Sequence, residues 1–416
     1  MLAVVHARGR VGTLRQAAGA LEFEYSPEWR ARADALPLSP RLPLREEPWR
    51  GDPVVFFFAN LLPEGPVLDT LLKLRRLPRG NVYRLVEAFG RECAGAFAVV
   101  SEDEADAMPA EGRYLEYSRN QLVDDLARLR ENIPLLGSHA ELRLSLAGAQ
   151  DKIPVRFEEG RLFLPEAGAA STHILKPTLH PARLFPDSVP NEAFCLRLAG
   201  ALGLPVPAAT ILRDPEAMLL VQRYDRIVDQ GRVQRLHQLD LCQLAGKLPS
   251  SKYEADGGPG FRDCFALIDE LSAAPAVDRL RLVDSMLINF LIGNADAHAK
   301  NFSMLYGPDA RLRLAPAYDL LATGYWPQLG DRMAMRIGGE RRPDWVMARH
   351  WQRFCEEVGL NPTQLRRRAL DLAARAVAVH EEIAGELELP PSLRQHLGTT
   401  LRQRADRLDK RLGVAE

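Results

Sequence analysis

"GNADAHAKN", residues 293–301, closes an apolar run, "SMLINFLI" (residues 285–292). Within it stand an acid (Asp296), an imidazole (His298), an ammonium (Lys300) and an amide (Asn301). A buried run can end on any solvated loop, so nothing about folding alone calls for these four groups together. Asp296 and Asn301 are five positions apart, and that spacing is what the rest of the chain must explain.

Phosphoryl transfer asks for a carboxylate that orients the attacking hydroxyl and accepts its proton. It also asks for an oxygen ligand a few residues on, to hold Mg²⁺ against the phosphates. An Asp followed five positions later by an Asn does both in a kinase catalytic loop. A second carboxylate must clamp the metal from another loop, and "LAPAYDLLAT" supplies Asp319 amid apolar neighbours. An isolated carboxylate there would be costly to bury without a cation. Two plainer readings stay open. Asp296 and His298 could be half of a hydrolase metal site, although no H-x-x-x-H accompanies them. Asp319 could simply cap a helix beginning at "LLAT".

Upstream, "SLAGAQDK" runs from Ser145 through Ala147, Gly148, Ala149, Gln150 and Asp151 to Lys152. Its small residues would let backbone N–H groups approach phosphate oxygens. It is not a Walker A motif, and an ordinary turn is the alternative. "HILKP" sets Lys176 at the end of an apolar strand, either solvated or pointing at phosphates. Glu192, sixteen residues on, is expected to open a helix with Asn191 as its cap candidate. There it could partner Lys176, as in the kinase lysine–glutamate pair, or serve as a first-turn acid favoured by the helix dipole. "LLVQRYDR" reads as a strand crossing between lobes, with Gln222, Arg223 and Tyr224 framing an adenine. Each piece is weak alone, but the order of loop, lysine, helix acid, crossing strand, D-x-x-x-x-N and Asp is specific.

The wider chain accommodates this order. At 416 residues it suggests two or three domains. A content of 46% hydrophobic and 26% charged residues is that of a globular protein. The net charge of −1 provides no overall attraction to polyanions. Five scattered cysteines without a C-x-x-C pair read as free thiols in a reducing compartment. The N-terminus lacks a signal-peptide core and no run reaches the roughly 20 apolar residues of a membrane span, so a cytoplasmic protein is expected. "LAVVHARG", "VGTLRQ" and "LEFEYS" read as strands, "VVFFFANLLPEGPVLDTLLKLRRL" as an apolar run passing into a helix. From 236 onward the spacing is helical apart from an irregular stretch, 293–345. A small β-rich block followed by a larger helical one is a two-lobed α+β arrangement with a cleft between lobes.

"SLAGAQDK", "HILKP", "NEAFCLRLAGALGLPVP", "VQRYDR", "HQLDLCQLAG", "LINFLIGNADAHAKNFS" and "APAYDLL" resemble the HipA family, serine/threonine kinases that act as toxins of type II toxin–antitoxin modules. "VGTLRQ", "FFFANLLPEG" and "GRECAGAFAVV" resemble that family's N-terminal subdomain. The resemblance implies a protein-kinase-like fold with an added N-terminal α/β subdomain at 1–105, a kinase N-lobe at 106–235 and a helical C-lobe at 236–416. It implies Asp296 as catalytic base and Asn301 with Asp319 as Mg²⁺ ligands. Ala147 to Lys152, Lys176, Gln222 to Tyr224, His298, Ala299, Lys300 and Tyr318 would line the ATP site. Ser145 would be autophosphorylated, and a dianion beside a phosphate loop would repel the substrate.

The resemblance further implies a helix-turn-helix antitoxin of the HipB kind, with DNA met through or beside it. The basic stretches "RIGGERRPDWVMARHWQR" and "RQRADRLDKRL" would meet phosphates there or be solvated helix faces. It implies a non-specific serine/threonine protein kinase causing growth arrest and persistence by phosphorylating an aminoacyl-tRNA synthetase, glutamyl-tRNA synthetase being the known type. Two departures stand out: Gln222 and Leu239 occupy positions where the family usually carries acids. A small-molecule phosphotransferase and a non-catalytic corepressor are the alternative functions.

Overall fold

Alternation of buried and exposed residues makes the first twenty-five residues a meander of three antiparallel strands, Leu2–His6, Gly9–Ala17 and Ala20–Tyr25. Leu2, Val4, Leu14, Leu21 and Phe23 face inward and are buried, as period-two patterning requires. The computed structural model describes residues 1–17, 19–78, 80–107, 112–131, 144–145, 152–166, 168–307 and 309–412. Trp49–Arg50 and Ala98–Ser101 complete a five-stranded sheet at its two edges. The apolar run at 54–59 is itself helical (Asp52–Ala59), with proline in its first turn, and is followed by helices Gly65–Arg75 and Val82–Phe89.

The next sheet has six antiparallel strands, in the order Ala209–Leu212, Met218–Gln222, His173–Pro177, Ile153–Glu158, Arg161–Glu166 and Arg113–Glu116. Both of its faces are covered. Leu175, Met218 and Leu220 pack with Leu122, Leu126 and Leu129 of helix Arg119–Arg130. Leu219 and Val221 belong to a second, larger core with Phe194 and Leu198 of helix Ser188–Ala201. Since neighbours on a strand point to opposite faces, Lys176, next to Leu175 and opposite Leu219, is turned toward the latter helix.

That helix starts earlier than expected. Asp187 holds the N-cap position with φ 57°, and Asn191 lies inside the helix. Asn191 is buried and exchanges two hydrogen bonds with the Ala322 backbone, donating to its carbonyl at 3.2 Å and accepting from its N–H at 2.8 Å. Glu192 therefore sits in the second turn, buried and away from the helix N-terminus.

The stretch expected to be irregular, 293–345, gives two strands of a small sheet, Ser303–Tyr306 and Leu312–Leu314, and the third, Gln238–Asp240, lies where helical spacing was expected; all pair antiparallel. Its hairpin turns the chain from the loop ending at Asn301 back toward the loop carrying Asp319. Behind it stand helices Phe261–Leu271, Pro275–Ile292, Ala348–Val358, Pro362–Glu386 and Pro391–Leu412. Residues of the N-terminal sheet and of these helices share one continuous apolar cluster. Among the described residues no helix is long and apolar enough to cross a membrane.

Candidate active site

The 18-residue helix Pro275–Ile292 stops at Gly293, whose φ of 72° suits a residue without Cβ. Beyond it, side chains hold the loop's shape. Asn294 donates to Asn289 Oδ1 at 2.8 Å and accepts the Asp296 N–H at 3.0 Å. Ala295 N–H donates to Thr323 Oγ1 at 2.7 Å. Asn301 Nδ2 donates to the Asp296 carbonyl at 2.9 Å, which ties together the two ends of the D-x-x-x-x-N run. The Asp296 side chain reaches solvent at the cleft wall, and Tyr253 Oη donates to its Oδ1 at 2.6 Å. Partial removal from water pushes the Asp296 carboxyl up, and the Tyr253 bond and Lys252 ammonium oppose that shift.

A second cluster faces this loop. Lys176 Nζ lies 2.5 Å from Glu192 Oε1 and 2.5 Å from Asp319 Oδ1, and Lys152 Nζ is 3.6 Å from Asp319 Oδ2. Burial works against the Lys176 ammonium, but Asp319 and Glu192 outweigh it and hold it above the ordinary lysine range. Burial also opposes the Asp319 carboxylate, yet Lys152 and Lys176 keep it well below the usual range. Asp319 has φ 52°, a conformation that costs a non-glycine residue free energy and is found at functional sites. No helix starts directly after it, so it is not the cap of "LLAT".

The remaining expected residues divide. Tyr224 and Tyr318 stack with ring centroids 5.5 Å apart. Tyr224 Oη donates to Gln238, and Tyr318 Oη donates to the Lys300 carbonyl at 2.8 Å. Gln222 is exposed, while Ala299 is fully buried in the turn Ala299–Asn301. Burial pushes the His298 imidazole down to about 3, so it is neutral, and its buried Nδ1 has no partner among the described residues. Lys300 and Arg223 were expected to line the nucleotide site, but their side chains go elsewhere. Lys300 Nζ meets Asn60 Oδ1 at 2.7 Å, Asp240 Oδ2 at 2.8 Å and Glu64 Oε1 at 3.5 Å. Arg223 is buried against Asp225 at 2.9 Å and Glu92 at 3.2 Å. Ala147, Gly148, Ala149, Gln150 and Asp151 lie outside the described residues. For Ser145 the described feature is its strand, Leu144–Ser145, which pairs in parallel with Glu92–Cys93.

The HipA-like C-terminal domain family matches residues 144–380, and the HipA N-terminal domain family matches residues 2–100. The chain belongs to the HipA family. It is 40% identical over 397 residues to "Putative kinase Y4mE" of Sinorhizobium fredii, covering 93% of each chain. It is 29% identical over 405 residues to the serine/threonine-protein kinase toxin HipA of Shewanella oneidensis, covering 92% of this chain and 89% of that one. A solved complex of Shewanella oneidensis HipA, HipB and operator DNA contains a chain that superposes with a TM-score of 0.85 at 27% identity over the full length of both. The fold is thus the two-lobed, kinase-like α+β arrangement of HipA proteins.

Against the HipA pattern, Leu239 is simply core, fully buried, and the acid beside it, Asp240, makes the contact to Lys300. The donor set suits a nucleotide with Mg²⁺. Asn301 Oδ1 and the ionised Asp319 are hard oxygens, and Mg²⁺ binds through one or two such groups while phosphates and waters fill its other positions. The unpartnered His298 Nδ1 is a group that a phosphate oxygen would satisfy. Sequence reading missed Tyr253. Its run, "SSKYEADGGPG", looks like a turn, and only the fold brings its hydroxyl to Asp296.

Proposed function

We propose that this HipA-family chain is an ATP- and Mg²⁺-dependent serine/threonine protein kinase, the toxin of a toxin–antitoxin pair. The observation that carries the proposal is Asp319, ionised and held by Lys176, which is itself paired with Glu192, opposite the loop that carries Asp296 and Asn301. In this reading Asp296 orients the acceptor hydroxyl and takes its proton as the new P–O bond to the γ-phosphorus forms and the bond from that phosphorus to the β–γ bridging oxygen breaks, with ADP leaving. Bound Mg²⁺ would neutralise phosphate charge. Asn301 and Asp319 would be its protein ligands, Lys152 and Lys176 would bind phosphate oxygens, and His298 Nδ1 would donate to one. The stacked Tyr224 and Tyr318 would shape the nucleotide pocket with Gln222.

The finer proposals follow the family. The chain divides near residues 105 and 235 into N-terminal subdomain, N-lobe and C-lobe. It works in the reducing cytosol, where its free buried cysteines stay thiols. Its partner is a helix-turn-helix antitoxin of the HipB kind with operator DNA beside it, its substrate a protein such as an aminoacyl-tRNA synthetase, and phosphorylation of Ser145 silences it. The test is intact-mass spectrometry with tryptic mapping after incubation with Mg²⁺ and ATP. One added phosphate on Ser145, absent in Asp296→Asn, is the expected result. No added mass and no phosphate transferred to proteins of a cell extract would overturn the kinase reading.

A further inference from the structure

The N-terminal domain touches the active-site segments through a small set of buried charges. Glu64 precedes helix Gly65–Arg75, but its side chain does not cap that helix. Its Oε2 lies 3.0 Å from Lys252 Nζ and its Oε1 3.5 Å from Lys300 Nζ. Lys252 is followed directly by Tyr253, whose hydroxyl donates to Asp296 at 2.6 Å. Lys300 is followed directly by Asn301. Asp240 and Asn60 complete the shell of Lys300, at 2.8 and 2.7 Å. Two ammonium groups thus face two carboxylates, a balanced quartet, and a buried charge survives only when paired in this way. Asn60 adds a backbone grip, its Nδ2 donating at 2.8 Å to the carbonyl of Lys247, upstream of Lys252.

We propose that the Asn60–Glu64 segment of the N-terminal domain is a positioning element for phosphoryl transfer. Glu64, through Lys252 and Lys300, holds the two segments that present Tyr253 with Asp296 and Asn301. This rests on the kinase reading and assigns a task to a domain that contributes no reacting group. Glu64 touches neither Asp296 nor Asn301 directly; it acts through the lysines next to their partners. A base that must meet a hydroxyl within hydrogen-bond reach loses rate steeply when displaced by about 1 Å.

The experiment uses the full chain as Glu64→Gln, Lys252→Met, Lys252→Arg and the Glu64→Gln/Lys252→Met double variant, with initial rates over a range of ATP concentrations and hydrogen exchange across residues 293–301. The expected result is kcat lowered roughly 10- to 100-fold in the first two, with KM for ATP unchanged. The double variant should be no slower than the slower single variant, because both break one linkage, and Lys252→Arg should restore most of the rate. Exchange across 293–301 should quicken in Glu64→Gln. A folded Glu64→Gln or Lys252→Met with wild-type kcat, or a double variant whose losses multiply, would overturn the proposal. If Glu64→Gln does not fold, Lys252→Met and its rescue by Lys252→Arg decide. Unchanged exchange in a folded Glu64→Gln overturns the proposal even where no substrate is phosphorylated. Quickened exchange in a chain whose wild type transfers no phosphate supports the linkage and overturns the kinase reading alone.

Discussion

Two buried lysines, Lys300 within the 293–301 loop and Lys176 opposite it, are each gripped by carboxylates. Lys176 holds Glu192 and Asp319; Lys300 holds Asp240 and Glu64. They differ in access to water. On the first lysine Glu192 is sealed at 3% exposure but Asp319 is 24% exposed, whereas Asp240 and Glu64 are each 10% exposed. A carboxylate that can reach solvent can trade its lysine for another cation, and one sealed inside cannot do so without leaving a charge unpaired. The same chemistry therefore serves two purposes, an exchangeable clamp on the cleft side and a fixed tie on the far side.

The largest expected effect tests whether the 293–301 loop does chemistry at all. Asp296→Asn should lower phosphate transfer by about 10²- to 10⁴-fold with an unchanged melting curve, measured by radiolabel incorporation. A folded variant with the wild-type rate would remove the basis of the comparison. Next, Asp319→Asn should cost about 100-fold in rate or more and little stability, because Lys176 keeps Glu192. Lys300→Met should lower the rate too, through its tie to Glu64, and should lose about 3–5 kcal/mol of stability in denaturant titrations, because Asp240 is left unpaired. Equal stability losses in the two variants would erase the distinction drawn here.

A third buried basic side chain sharpens the contrast because no carboxylate among the described residues holds it. His237 bonds the Leu38 carbonyl through Nε2 at 2.8 Å, and burial, aided by the nearby His6, pushes it from 6.5 down to about 4. A depressed histidine is neutral in the fold while the unfolded chain still binds a proton, so stability present above pH 6.5 is lost as pH falls toward 4. The loss from His237 should reach about 3 kcal/mol at most, and His237→Asn should lessen the slope in that window in denaturant titrations without abolishing it, because His6 and His298 are depressed as well. Last, Tyr253→Phe removes one bond to a carboxylate and should slow transfer about tenfold, with ATP affinity unchanged by calorimetry.

Much of the fold was legible because it is local. The runs "LAVVHARG", "VGTLRQ" and "LEFEYS" fall on the first three strands, and "HILKP" is itself a strand, His173–Pro177. Asn191 misled because it is a good cap by residue type, yet its amide is consumed by Ala322, which lies 131 residues away. The site was legible in its order along the chain, since Lys176 and Glu192 sit on consecutive elements. The direction of Lys300 was not. A single 3-10 turn, Ala299–Asn301, carries it, and its partner Asn60 stands 240 residues earlier. Nothing within the loop encodes that. Tyr253 was hidden for the same reason, because a tyrosine in a turn gains its meaning only from what the fold brings beside it.

The tie between Asn60, Glu64, Asp240, Lys252 and Lys300 also constrains inheritance. A HipA-like catalytic region would not readily acquire a foreign N-terminal domain by simple recombination, because a stranger's loop would take the Glu64 carboxylate from Lys252 and leave Lys300 with Asp240 alone. These five positions, spread from residue 60 to residue 300, should be substituted together across related chains or not at all, and a fragment cut near residue 105 should be insoluble where the whole chain is not.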